Sequence, residues 1–145
     1  MANDKELDFG KLHAAHSGIL TRYIVDCRRA MDGDMDLFLI MAIVGERTFN
    51  SRHAPNDMTI EAFVDGTVGK VEPLPINLQS ISDYTGIPRE TARRKIDILI
   101  KRGWIERDSR KYFTATDQAN QAFLDLTKIT QKYLHDFASA INKLP

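Results

Sequence analysis

A chain of 145 residues is long enough for one domain with a hydrophobic core, and its 43% hydrophobic and 28% charged residues are ordinary for a soluble globular protein. The formal net charge is zero, which argues against a polycation that binds any polyanion. Cys27 is the single cysteine and cannot form an internal disulfide. The N-terminus lacks the apolar stretch of a signal peptide, and the longest apolar run, residues 37–44, is too short to span a bilayer. We therefore expect a cytoplasmic protein without a membrane segment.

The first 50 residues predict two helices. Residues 1–10 are polar and expected to be flexible, and residues 11–145 are expected to form a single domain. Within residues 11–50, apolar residues recur at steps of three and four as far as Met31, the spacing of an amphipathic helix. Asp34 can cap a second helix, which is apolar nearly all round in its first half. This second helix should lie in the core.

Residues 51–75 are the least regular part of the chain. Prolines and glycines exclude one long helix here, and Thr59 to Val64 fits either a short helix or a strand. A surface excursion is the simpler interpretation of this segment, and an element that faces a ligand or partner is the alternative.

Residues 117–144 predict one long C-terminal helix. Its apolar residues alternate steps of four and three, the spacing of a coiled-coil seam. Such a helix would be about 40 Å long, more than a small domain needs to cover itself. We therefore expect it to pack against the first helix and against a second copy of the chain, with intramolecular packing alone as the alternative. The predicted dimerisation residues are Leu20, Tyr23, Cys27, Phe123, Leu126, Tyr133, Phe137 and Ile141.

The segment 76–116 predicts a helix, a tight turn, a second helix and two short strands. Gly86 stands at the turn, where a positive φ is tolerated, and Pro88 suits the start of the second helix. Gly103 ends this helix. The strands are expected at Trp104–Arg107 and Arg110–Thr114, joined by a turn at Asp108. The predicted fold class is therefore mainly α with a small β-hairpin wing, flanked by N- and C-terminal dimerisation helices.

The charged residues are concentrated in this segment. Residues 86–112 contain nine Lys or Arg and four Asp or Glu, a net charge of +5, so the rest of the chain carries −5. On the second helix, Ala92, Ile96 and Leu99 recur at helical spacing and should be buried. The helix then projects a basic face, which suits DNA because arginine donates paired hydrogen bonds to guanine or phosphate, while lysine and threonine hold the backbone. The residues assigned to this face are Arg89, Glu90, Thr91, Arg93, Arg94 and Lys95.

The stretch TGIPRETARRKIDILIKRGWIERD, residues 85–108, resembles the winged helix-turn-helix of bacterial transcription regulators. The resemblance covers about residues 76–116, and the order of the helices outside it is similar to that of MarR-type regulators. The chain departs from the MarR pattern in residues 51–77 and in having one long C-terminal helix. The resemblance implies a homodimer that binds operator DNA. It also implies base or phosphate contacts from Arg89, Thr91, Arg93 and Arg94 on the recognition helix, and from Arg110 and Lys111 on the wing.

We therefore expect a sequence-specific regulator that binds double-stranded DNA, with a winged-helix module for protein or RNA binding as the alternative. No enzyme activity or cofactor is expected, since the sequence contains no Gly-rich phosphate loop, nucleophile elbow or paired-carboxylate motif. His13 and His16 are interpreted as incidental surface residues rather than metal ligands. A small-molecule effector is a further hypothesis. It would occupy the apolar space near Phe38, Met41, Phe49 and Phe63.

Overall fold

The computed structural model describes residues 9–49, 57–65 and 73–143. Within these ranges the chain forms seven helices and three strands, and the predicted fold class, mainly α with a small antiparallel sheet, is confirmed. Of the predicted flexible N-terminus, Phe9 and Gly10 are helical, and residues 1–8 lie outside the described ranges. The elements are α1 Phe9–Ala30, α2 Met35–Phe49, α3 Ile60–Val64, β1 Ile76–Asn77, α4 Leu78–Thr85, α5 Arg89–Lys101, β2 Ile105–Arg107, β3 Tyr112–Ala115, α6 Asp117–Ala122 and α7 Leu124–Asn142.

Side-chain caps begin several of these helices where the sequence offers a short polar residue. Asp34 Oδ1 accepts a hydrogen bond from the N–H of Leu37 at 2.9 Å, which confirms the predicted start of α2. Thr59 accepts one from the N–H of Ala62 at 3.1 Å, so the segment that fitted either a helix or a strand is a helix, α3. The rest of the predicted excursion, residues 51–56 and 66–72, lies outside the described ranges.

The sheet has one strand more than the predicted hairpin. Its order is β1-β3-β2, and both pairings are antiparallel. In β1, Ile76 lies opposite Phe113, and both side chains are buried. A strand of two residues is too short to show the alternation of apolar and polar residues that predicts strands. It forms because β3 has a free edge to pair with and because Phe113 on β3 provides a buried ring opposite Ile76.

The expectation that Arg110 and Lys111 begin the second strand is wrong. Asp108 Oδ1 accepts hydrogen bonds from the N–H groups of Arg110 at 2.8 Å and Tyr112 at 2.9 Å. Lys111 has a φ of 66°, a left-handed conformation that does not continue a strand. The two basic residues therefore lie in the hairpin loop, and β3 begins at Tyr112.

Helix α2 lies at the centre of the core, as predicted. Its contacts include α5 on one side and strand β3 on another. Fully burying a side chain such as Leu or Ile contributes roughly 1.5–3 kcal/mol, so this helix accounts for much of the hydrophobic stabilisation. Its buried residues are Leu37, Ile40, Met41, Ile43 and Val44.

The prediction of one continuous helix over residues 117–144 is also wrong. Thr116 caps α6 through a hydrogen bond from the N–H of Ala119. Helix α6 ends at Ala122, because the φ of −100° and ψ of 18° at Phe123 are not helical. The Phe123 ring packs edge-on against Trp104, with the ring centroids 4.7 Å apart. We attribute the interruption to the packing of this ring against the core; α7 then starts at Leu124.

Helices α1 and α7 pack against each other along the side of the domain. Tyr23 stacks on Tyr133 with ring centroids 4.5 Å apart, and its hydroxyl lies 2.9 Å from Thr130 Oγ1. His16 Nε2 lies 2.7 Å from the hydroxyl of Tyr133. In the described ranges, no helix is long and apolar enough to cross a membrane.

Candidate nucleic-acid interface

Helices α4 and α5 are joined by a turn that the sequence dictates locally. Gly86 ends α4 with a φ of 74°, the left-handed conformation that glycine adopts without a steric penalty. Ile87 follows and is buried, while its backbone is held from both sides: the Ser82 hydroxyl donates to its carbonyl at 2.7 Å, and Thr85 Oγ1 accepts from its N–H at 3.1 Å. This turn fixes the angle at which α5 leaves α4.

Helix α5 separates its apolar and charged residues as the periodicity predicted. Ala92, Ile96 and Leu99 are buried against the rest of the core. On the opposite face Arg89, Glu90, Arg93 and Arg94 are exposed to solvent, and Thr91 is half-buried beside them. The structure therefore brings five of the six predicted helix residues to one accessible surface, which we call the α5 face.

The α5 face carries a network of ion pairs that spacing alone did not identify. Arg93 donates to Glu90 through Nε at 2.9 Å and Nη2 at 2.7 Å, and to Asp97 through Nη1 at 2.7 Å. Arg94 Nε lies 3.2 Å from the same Glu90. The hydrogen bond from Arg93, with support from Arg94, lowers the pKa of Glu90 to about 2. Glu90 is therefore ionised at neutral pH.

Lys95 faces away from the α5 face, toward α2. Its ammonium group pairs with the Asp34 carboxylate, and the two side chains keep 24% and 29% of their exposure. Partial burial alone would raise the pKa of Asp34, but the hydrogen bond from Lys95, the N–H of Leu37 and the charges of Lys95 and Arg102 lower it. Lys95 thus ties α5 to the start of α2.

The hairpin loop presents a second basic surface. Arg110 and Lys111 are exposed there, as is Arg107 at the end of β2. Arg102 follows α5 and lies over the Trp104 ring, 4.9 Å from its centroid, so its guanidinium is engaged in a cation–π contact. Arg107 was not among the residues predicted for the wing surface; its position directly before the turn at Asp108 was the sequence signal that could have identified it.

The predicted dimerisation residues lie mainly within the protomer's own packing. Tyr133 and Phe137 stack together and contact α1 through Tyr23 and His16, and Cys27 is buried. Leu20 and Ile141 are half-buried on α1 and α7. The remaining two, Phe123 and Leu126, line a partly open cavity.

This cavity has a volume of about 400 Å³ and lies between α1, α2, α3, α6 and α7. Phe38, Met41, Phe49 and Phe63, the residues near which apolar space was predicted, all line it. Among the described residues of its wall, Asp117 is the one carboxylate. Thr48 and Ala115 are also part of the wall. Thr48 Oγ1 accepts a hydrogen bond from the N–H of Ala115 at 2.7 Å, and this bond connects α2 to β3.

Comparisons with family models, with curated proteins and with solved structures found no significant match. The features of the described chain that bear on function are the α5 face, the hairpin loop (called the wing loop below) and the cavity. Over the described ranges, no three His, Cys, Asp or Glu side chains form a group that could hold a metal ion. His13 instead stacks on Phe9, with the ring centroids 5.6 Å apart.

Proposed function

We propose that the chain is a DNA-binding transcription regulator of the winged helix-turn-helix type, similar to MarR regulators in its helical order. Helix α5 would enter the major groove, and the wing loop would contact the flanking backbone or minor groove. The observation that carries the proposal is the α5 face: three exposed arginines project from a helix whose opposite side is buried in the core.

The ion pairs on the α5 face do not oppose this proposal strongly. An exposed ion pair in water is weak, so Arg94, which makes a single longer contact with Glu90, can exchange that carboxylate for a phosphate at small cost. Glu90 and Asp97 offset two of the three arginine charges of the face, but the hairpin adds positive charge through exposed Arg107, Arg110 and Lys111. The local field therefore still favours a polyanion.

A homodimer is part of the proposal. Large apolar side chains remain exposed on the two helices outside the motif: Phe9, Ile24 and Val25 on α1, and Leu134 on α7, which is 56% exposed. A second copy packed there would bury them. Two recognition helices related by a two-fold axis would favour a pseudo-palindromic site with half-sites about one helical turn apart. Sedimentation equilibrium tests this: a monomer at all micromolar concentrations would contradict it.

The test of DNA binding combines selection and a salt series. Duplexes bound by the wild-type chain are selected from a random pool, and the affinity for the selected duplex is measured at several salt concentrations. We expect Arg93→Ala with Arg94→Ala to weaken binding and to lower the slope of log K against log salt by about one for each phosphate that is no longer bound. The control, Arg22→Ala with Arg29→Ala, removes the same charge from exposed arginines of α1.

Equal affinity of the two double variants would show that total charge, not the α5 face, attracts DNA. Failure of the wild-type chain to enrich any duplex would refute the proposal. The alternative, a winged-helix module that binds protein or RNA, then remains. A parallel selection from a random single-stranded RNA pool separates these two: an enriched RNA motif would assign the face to RNA.

The cavity supports a second element, a small-molecule effector that regulates DNA binding. Its described lining is apolar and aromatic apart from a few polar groups, with a carboxylate at Asp117, so a hydrophobic ligand without an acidic group fits best. A ligand there would contact both α2 and β3, and it could shift DNA binding only by favouring one of two arrangements. A thermal-shift screen of neutral and cationic aromatic compounds tests this, with Ala42→Trp, which adds a large ring at the cavity wall, as the control. If no compound shifts the melting temperature of the wild-type chain, or if every such shift persists in Ala42→Trp, the effector proposal is refuted.

A further inference from the structure

Arg93 is held differently from the other arginines of the α5 face. Its guanidinium is bound from two directions, by Glu90 one turn earlier on α5 and by Asp97 one turn later. Arg94 makes a single longer contact with Glu90, and its side chain is 72% exposed against 50% for Arg93. Among the described ion pairs, Arg89 has none. One arginine of the three is thus oriented before any DNA arrives.

The orientation leaves Arg93 able to bind a further acceptor. A guanidinium carries five N–H groups in one plane, and the contacts with Glu90 and Asp97 use three of them. Two N–H groups remain, which is the number that a guanine edge accepts through O6 and N7. Since the ion pairs fix the plane of the guanidinium, they also fix the direction in which the remaining N–H groups point.

We propose that Glu90 and Asp97 are positioning residues that hold Arg93 in place to read one G·C base pair, and that Arg93 therefore determines sequence selectivity on the α5 face. Arg89 and Arg94, which are less constrained, hold phosphates instead. The inference rests on the proposed DNA binding. It assigns base reading to one arginine and phosphate binding to the other two. Exposure alone does not distinguish them, because all three are exposed.

Positioning of this kind has two measurable consequences. A side chain that is already ordered loses less rotamer freedom on binding, which amounts to about 2- to 10-fold in affinity for the correct base pair. The two carboxylates also repel phosphates and so lower the affinity for unrelated duplexes. Removing one carboxylate should therefore raise non-specific binding while it lowers selectivity. A change in total charge alone would produce the first effect without the second.

The experiment uses the duplex selected by the wild-type chain, its single-base-pair variants and a scrambled duplex. We expect Arg93→Ala to abolish the preference at one G·C pair. Glu90→Gln should reduce the preference at that same pair by about 2- to 10-fold and tighten binding to the scrambled duplex. The matched control is Glu106→Gln in β2, which makes the same charge change at an exposed residue of the wing. It should tighten binding to the scrambled duplex and leave the preference at that pair unchanged.

A double variant decides whether Glu90 acts through Arg93. In the Arg93→Ala background, Glu90→Gln should have no further effect on that base pair. A persistent effect would mean that Glu90 contacts a base itself and would overturn the inference, as would an unchanged preference in Glu90→Gln alone. Enrichment of no duplex by the wild-type chain would overturn the proposed function as well. The failure of the inference is thus distinguishable from the failure of DNA binding.

Discussion

The Asp34–Lys95 contact joins residues 61 positions apart and offers a direct test of how α5 is held. Asp34→Ala removes two interactions at once, the hydrogen bond that caps α2 and the ion pair with Lys95. Asp34→Asn removes only the ion pair, because asparagine caps helices about as well as aspartate. Lys95→Met removes the charge of the same pair and keeps most of the hydrocarbon stem. These variants separate the two contributions.

The magnitude follows from capping and exposure. Loss of the cap costs about 1 kcal/mol. The ion pair, whose side chains keep 24% and 29% of their exposure, lies between an exposed pair and a buried one. Exposed pairs contribute about 0–1 kcal/mol, and breaking a buried one costs about 3–5 kcal/mol, so we take about 1 kcal/mol here. Asp34→Ala should then lower the free energy of unfolding by about 2 kcal/mol, and the melting temperature of this 145-residue chain by about 7 °C.

Urea unfolding measures the loss of unfolding free energy in each variant, with the fluorescence of Trp104, the single tryptophan, as the probe. Asp34→Asn and Lys95→Met should each lower the unfolding free energy by about half as much as Asp34→Ala. The double variant that combines Asp34→Asn with Lys95→Met should lower it by little more than either single variant. A double variant whose cost equals the sum of the two single costs would refute the pairing. Equal costs for Asp34→Asn and Asp34→Ala would refute the separate cap.

The same contact predicts a pH dependence. The pKa of Asp34 is lower in the folded state, so near pH 4 the unfolded chain binds more protons at this position. The stabilisation is therefore fully present above the ordinary pKa of an aspartate and is lost as the pH falls through the folded-state value. The difference in unfolding free energy between wild type and Asp34→Asn should shrink on acidification from pH 6 to pH 3. A constant difference would contradict this reasoning.

Two further substitutions and one labelling experiment test other parts of the fold. Gly86→Ala should cost about 1–2 kcal/mol in urea unfolding, because the φ of 74° is strained for alanine although an added Cβ meets no atom within 4 Å. Burial raises the pKa of the Cys27 thiol, so a disulfide reagent should label it slowly in the native state and rapidly in urea; rapid native labelling would contradict its burial. Phe123→Ala should cost about 2–3 kcal/mol and alter Trp104 emission, since it removes the ring that packs there; an unchanged spectrum would count against the explanation of the α6–α7 break.

Features with a local physical cause could be predicted from the sequence. The helical spacing of Ala92, Ile96 and Leu99 separated the buried and projecting sides of α5. The turn at Gly86 needed only a residue that tolerates positive φ, and the cap at Asp34 only a short side-chain acceptor. The four apolar residues Phe38, Met41, Phe49 and Phe63, named from the sequence as the surroundings of an apolar space, do line the cavity.

Features that depend on distant residues were decided by the tertiary structure. The break at Phe123 needs the Trp104 ring beside it, and the pairing of Lys95 with Asp34 needs α5 packed on α2. Strand β1 needs the edge of β3. The sequence alone determined which residues form α4, the turn and α5 and, except for Lys95, which residues lie on the α5 face, because helical periodicity is a property of neighbours. Which of those residues are already paired, and which remain open to a partner, was decided by packing, because side-chain contacts depend on the final positions of all the elements.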